Sequence, residues 1–134
     1  MNEKLFRPQF NRMETSEKKA LMESLAARYN MTFLGLQTFD RWGQNCTTGI
    51  FEKDEREFVF VPGDTVTLGW EQFAPLFWER NCYSHELQEY QRIAVLVSLN
   101  AIHSGLLPQY LERAKQDGRK YLLEHAERIE GAIL

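Results

Sequence analysis

The stretch Glu57-Phe58-Val59-Phe60-Val61-Pro62-Gly63 decides the fold. Four successive apolar residues, Phe58 to Val61, give a strand an apolar side chain on both faces. Such a strand belongs inside a sheet rather than at its margin. Pro62-Gly63 then supplies what a type II turn requires, a fixed φ followed by a positive one. Beyond the turn, Val66, Leu68 and Trp70 alternate with Thr65 and Thr67, which predicts a further strand over residues 65–70. Working backwards, residues 52–56 form a charged tip and residues 46–51 a strand. Residues 40–45, with Trp42 among them, form a turn in which Gly43 or Asn45 takes positive φ. Residues 31–39, rich in Thr, Phe and Leu, form the first strand. The short links between these runs predict an antiparallel meander of four strands.

Helical spacing brackets the meander. Thr15 or Ser16 is placed to cap a helix, and Glu17 suits the positive end of its dipole. Leu21, Met22, Leu25, Ala26 and Tyr29 recur on one face for about four turns, and Asn30 can stop them. Residues 1–14, interrupted by Pro8, are expected to be a loose arm. After Trp70, residues 71–79 read as a short helix begun or broken near Pro75. Ser84 is a plausible cap for a long helix reaching about Ser104, with Leu87, Tyr90, Ala94, Val97 and Ala101 on one stripe. Residues 93–97 are apolar all round, and their three β-branched side chains leave a strand as the alternative. Gly105 suits the position after a helix end, and Pro108 opens the next helix, which runs to Asp117-Gly118. A last helix carries Tyr121, Leu122, Ala126, Ile129 and Ile133. The expectation is one α+β domain over residues 1–134: one helix, about four antiparallel strands, then three or four helices on one face.

The chain has 134 residues, 43% hydrophobic and 26% charged, which suits a globular domain and argues against disorder. Sixteen Lys and Arg against nineteen Asp and Glu leave a net charge of -3, so there is no general pull toward nucleic acid or anionic membrane. No apolar run approaches the roughly 20 residues of a membrane span, and residues 1–12 carry no apolar leader core. The two cysteines, Cys46 and Cys82, are too few for a disulfide framework and are read as reduced thiols. A cytoplasmic location is the expectation.

Catalytic chemistry finds little purchase. His85-Glu86-Leu87-Gln88-Glu89 is similar to the zincin string H-E-x-x-H, with Glu89 in place of the second histidine. Cys82, His85 and Glu89 are the residues a metal would use. His103 and His125 stand at unhelpful spacing, so the string is read as a solvated first helical turn and no metal or other cofactor is expected. Serine elbows and glycine-rich phosphate loops are absent. Asp40 and Asp64 fall in turns, where Asp serves the backbone. Phe58 and Phe60 lack the basic setting of an RNA-binding sheet and read as core.

The aromatics around residue 75 carry the functional expectation. Trp70 ends a strand in this reading, and Phe73, Phe77 and Trp78 lie close on a helix surface flanked by Glu71 and Glu79. Aromatic anchors inside a charged rim are what a partner protein engages. Trp70, Phe73, Phe77 and Trp78 are therefore the candidate partner-binding residues, with coverage of the sheet as their other reading. Residues 93–102 are apolar enough for a homodimer seam or for a monomer core.

Residues 34–43, 47–51 and 58–70 together resemble a segment of uncharacterised bacterial proteins, some of which resemble formylglycine-generating (sulfatase-modifying) enzymes. The phrase Phe60-Val61-Pro62-Gly63-Asp64-Thr65-Val66-Thr67-Leu68-Gly69 is similar to the opening strand-turn-strand of that fold. The likeness covers about residues 34–70 and brings no catalytic residue with it, since neither Cys46 nor Cys82 matches the setting of that enzyme's cysteines. It implies a bacterial or phage-related β module, and a profilin-like sheet with flanking helices is a loosely similar architecture. The functional expectation is a non-catalytic protein-binding, regulatory or inhibitor module. The alternatives are an accessory or degenerate module related to the formylglycine-generating proteins, or a small-molecule sensor with an apolar pocket between sheet and helices.

Overall fold

The computed structural model describes residues 5–41, 44–63, 69–80, 94–119 and 123. Among the described residues, five strands, β1 (Thr32–Arg41), β2 (Gln44–Lys53), β3 (Arg56–Val61), β4 (Leu76–Arg80) and β5 (Ala94–Val97), make one antiparallel sheet in chain order, one strand more than the sequence predicts. The helices described are α1 (Arg7–Arg12), α2 (Thr15–Arg28), α3 (Leu99–His103) and α4 (Leu107–Gln116), with a 3-10 turn at Glu71–Phe73. The α+β class stands, and β3 is the central strand with Phe58, Val59, Phe60 and Val61 all buried.

Register shows how the two faces are built, because residues opposite one another share a face. Phe51 opposes Phe58, and Phe60 opposes Phe77. Phe33 opposes Phe51 at the far side, completing an aromatic face. Ile50, Val59, Trp78 and Leu96 run across the other face. Phe10 of α1 meets Phe60 at 5.2 Å, and Tyr29 at the end of α2 meets Phe77 edge-on at 6.0 Å. Gly49 lets α2 settle on this face: a Cβ there would stand 2.5 Å from Met22 Sδ.

Local chemistry sets the element ends. Glu14 and Glu17 form a reciprocal capping box at the start of α2. Asn30, at φ 54, ends the helix, and the Met31 N–H donates back to the Ala26 carbonyl at 2.8 Å. The β2–β3 hairpin turns at Asp54 and Glu55, both at positive φ, as a type I′ turn requires. In β1 the pairing passes from Phe33–Phe51 to Gly35–Ile50, so Leu34 is a bulge residue and is 53% exposed.

Five expectations are corrected. The arm over residues 1–14 is not loose where it is described: Phe6 and Gly63 form a parallel bridge, Pro8 sits in the first turn of α1 rather than breaking it, and Phe10 is core. Two helices, not one, precede the sheet. Residues 71–79 are not a helix but the 3-10 turn followed by β4. Residues 94–97 take the strand alternative, with α3 starting only after Ser98 caps it. Trp70 caps the 3-10 turn instead of ending a strand. The rest of that expected strand (residues 64–68), the start of the expected long helix (84–93), Trp42 and most of the last helix lie outside the described residues.

Candidate functional site

The helical period puts Leu21, Ser24, Leu25 and Arg28 on one stripe of α2. Facing this stripe is the segment 71–75, where the 3-10 turn leads through a cis Ala74-Pro75 bond into β4. Leu5 closes one end. The walls enclose a cleft of about 270 Å³ lined by Leu5, Leu21, Ser24, Leu25, Arg28, Glu71, Ala74 and Pro75. A recess of about 20 Å³ adjoins it and reaches toward Trp70 and Val61.

The second wall is held by its carbonyls and its core residue. Phe73 is buried against Trp70 and Tyr110, at 5.9 and 5.2 Å between ring centroids. Its carbonyl accepts from the Ser98 hydroxyl, the same group that caps α3. Asn100 joins the two walls: its Nδ2 donates to the Gln72 carbonyl at 3.4 Å, and its Oδ1 accepts from Arg28 Nη2 at 2.9 Å. Glu71 Oε2 accepts the Gly69 N–H at 2.6 Å. Arg28 and Glu71 are not joined to each other by an ion pair. Arg28 also lies 5.0 Å above the ring of Tyr29.

Tyr29 is fully buried, and its hydroxyl has no hydrogen-bond partner. Burial pushes its pKa up, opposed by nearby Arg28. Tyr110 is equally buried, but its hydroxyl donates to the Leu96 carbonyl at 3.0 Å, and burial raises its pKa strongly. Tyr29→Phe therefore removes an unsatisfied group and is expected to leave stability unchanged or raise it by up to about 1 kcal/mol, whereas Tyr110→Phe costs about 1 kcal/mol. Urea denaturation of the two variants reads the difference, and a Tyr29→Phe loss as large as that of Tyr110→Phe contradicts it.

The expected aromatic patch is not a surface. Trp70 is 1% exposed, and Phe73 and Phe77 are fully buried; Trp78 alone of the four is partly exposed. The reason is the strand. Adjacent residues of β4 point to opposite faces, so Phe77 enters the aromatic face while Trp78 lies on the other. Trp70 is anchored further, its indole N–H donating to Asp117 Oδ2 at 2.5 Å. That bond, with help from Arg113, holds the Asp117 carboxyl below the usual range.

Elsewhere, Lys18 is buried with Nζ donating to the Thr47 carbonyl at 2.8 Å and lying 4.5 Å from the Phe10 ring centroid. Desolvation lowers its pKa, and nearby Cys46 opposes that. Cys46 is buried and is in no disulfide bond. Cys82, His85 and Glu89 lie outside the described residues. Among the described residues no three His, Cys, Asp or Glu side chains cluster as metal ligands.

The sequence reading offered a pocket between sheet and helices as an alternative but assigned it no residues. Of the α2 wall, Leu21 and Leu25 stand on the helical face the spacing predicts, whereas Arg28 and Ser24 lie outside that predicted face, and the opposite wall exists only once residues 71–75 are read as turn and extended chain. Comparisons of the chain with protein-family models, curated proteins and solved structures found no match.

Proposed function

We propose that this chain is a non-catalytic binding module whose working site is the cleft between α2 and residues 71–75. The carrying observation is the composition of that cleft: Leu5, Leu21, Leu25, Ala74 and Pro75 supply apolar wall, and Ser24, Arg28 and Glu71 supply a few polar groups at its margin. A concave site that combines apolar wall with a few placed polar groups is the usual form of a small-molecule site. A ligand that binds only the folded chain stabilises it by mass action, by about 2.7 kcal/mol at a hundredfold excess over Kd. A thermal-shift screen of small amphipathic compounds is expected to find ligands that raise Tm by several degrees. Leu21→Glu, at a half-buried position of the wall, is expected to fold and to lose that response. Equal responses from the variant and the parent chain, or none from either, count against the cleft.

A second reading, of a protein partner, draws on β1. It is the margin of the sheet, ten residues long, with the exposed Leu34 on its bulge. An added strand is a common mode of partner recognition at such a margin. This reading predicts that Leu34→Lys weakens capture of a partner while leaving cleft ligands bound.

A further inference from the structure

We infer that the ligand of the cleft is a free amino acid with an apolar side chain, its carboxylate on Arg28 and its ammonium on Glu71. The inference rests on the cleft reading above and gives it a ligand class. Arg28 and Glu71 both line the cleft, carry opposite charges and make no ion pair with each other. Each is already oriented by one hydrogen bond and keeps further capacity. Arg28 spends Nη2 on Asn100, which is itself tied to Gln72, so the guanidinium is held in place with other N–H groups left to donate. Glu71 spends Oε2 on the Gly69 N–H, which leaves Oε1 to accept.

Charge complementarity then selects among occupants. An uncharged apolar molecule would strip water from both charges and return nothing to either. A fatty carboxylate would satisfy Arg28 and meet repulsion from Glu71; an alkylamine would do the reverse. A zwitterion satisfies both through charge-assisted hydrogen bonds, the guanidinium gripping the carboxylate and the glutamate taking the ammonium. Leu21, Leu25 and Pro75 form the surface for its side chain. The interior of a peptide carries neither charge, so a free amino acid fits better than a chain segment.

The test is calorimetric titration of the full chain with L-leucine, L-leucinamide, 4-methylpentanoate, glycine and the uncharged 3-methylbutanol. Leucine is expected to bind, and each analogue that lacks one of its three features to bind at least about tenfold more weakly, since a charged partner left unmatched costs on the order of 1.4 kcal/mol or more. Arg28→Gln is expected to erase the preference for leucine over leucinamide, and Glu71→Gln the preference for leucine over 4-methylpentanoate. Binding of 3-methylbutanol or of one charged analogue as tightly as leucine overturns the amino-acid assignment and leaves the cleft as a site. Absence of binding by every compound overturns both. If leucine binds and keeps both preferences in the two variants, the assigned roles of Arg28 and Glu71 are wrong.

Discussion

Phe77→Ala is expected to lower the free energy of unfolding by about 3–5 kcal/mol, the usual cost of emptying a buried aromatic site. The ring is fully buried and meets three others near right angles: Tyr29 at 6.0 Å, Phe51 at 5.5 Å and Phe60 at 5.9 Å. Those neighbours come from α2, β2 and β3, so the cavity would open where the helix layer meets the sheet. Domains of this kind are stable by roughly 5–15 kcal/mol, and the loss would be a large part of the total. Trp78→Ala, one residue on, is expected to cost less although it removes the larger side chain, because Trp78 is partly exposed on the opposite face. Urea midpoints for the two variants measure the contrast. A Phe77→Ala loss below about 1 kcal/mol would fit the helix reading of residues 71–79, in which Phe73 and Phe77 share an outer stripe, and would contradict the strand.

Arg56→Met is expected to cost about 3–5 kcal/mol. Arg56 and Glu79 form a two-pronged pair, Nε to Oε1 and Nη2 to Oε2, each at 2.7 Å. Glu79 is fully buried, whereas the Arg56 side chain is 20% exposed. Removing the cation takes both of these bonds from a fully buried carboxylate, which is the expensive half of a buried pair. The double change Arg56→Met with Glu79→Met is expected to recover most of the loss, since two apolar groups of similar size replace the pair. The sheet carries its own control. Glu57 and Arg80 oppose each other on the other face, also at 2.7 Å, but their side chains are 40% and 30% exposed. Breaking that pair is expected to cost no more than about 1 kcal/mol. A denaturation cycle over both pairs decides the matter; similar costs for the two would mean that burial of Glu79 is not what makes the first pair matter.

Phe77 and Glu79 also show where sequence reading fails. Met22, Leu25, Ala26 and Tyr29 hold a 3.6-residue period with stop chemistry at Asn30, and α2 follows from them. Phe58 to Val61 is apolar at every position, and β3 is central. Gly105, at φ 73, lets the Leu106 N–H reach the Ala101 carbonyl at the end of α3, as its place before Pro108 predicts. In residues 71–80 the cues mislead. Phe73 and Phe77 stand four apart and are flanked by Glu71 and Glu79, which imitates an amphipathic helix. The true pattern is a strand with Phe77 and Glu79 on the same inward face, and a buried glutamate looks polar until its partner is known. That partner is 23 residues away in the chain. Residues 94–97 fail for a different reason: a run apolar on all sides has no period to read, and only its valines favour a strand. The candidate site was legible by half. Leu21 and Leu25 followed from the helical spacing, but Arg28 and Ser24 did not, and the second wall came from the segment whose fold was misread.

The central claim is that the working surface is the cleft and not the aromatic cluster. A titration of isotope-labelled chain with L-leucine, followed through its backbone amide resonances, tests it most directly. Saturable shifts are predicted at Ser24, Leu25, Arg28, Glu71 and Ala74, with the amides of β1 unmoved. Shifts gathered along β1 instead, or a spectrum unchanged at saturating leucine, would contradict it.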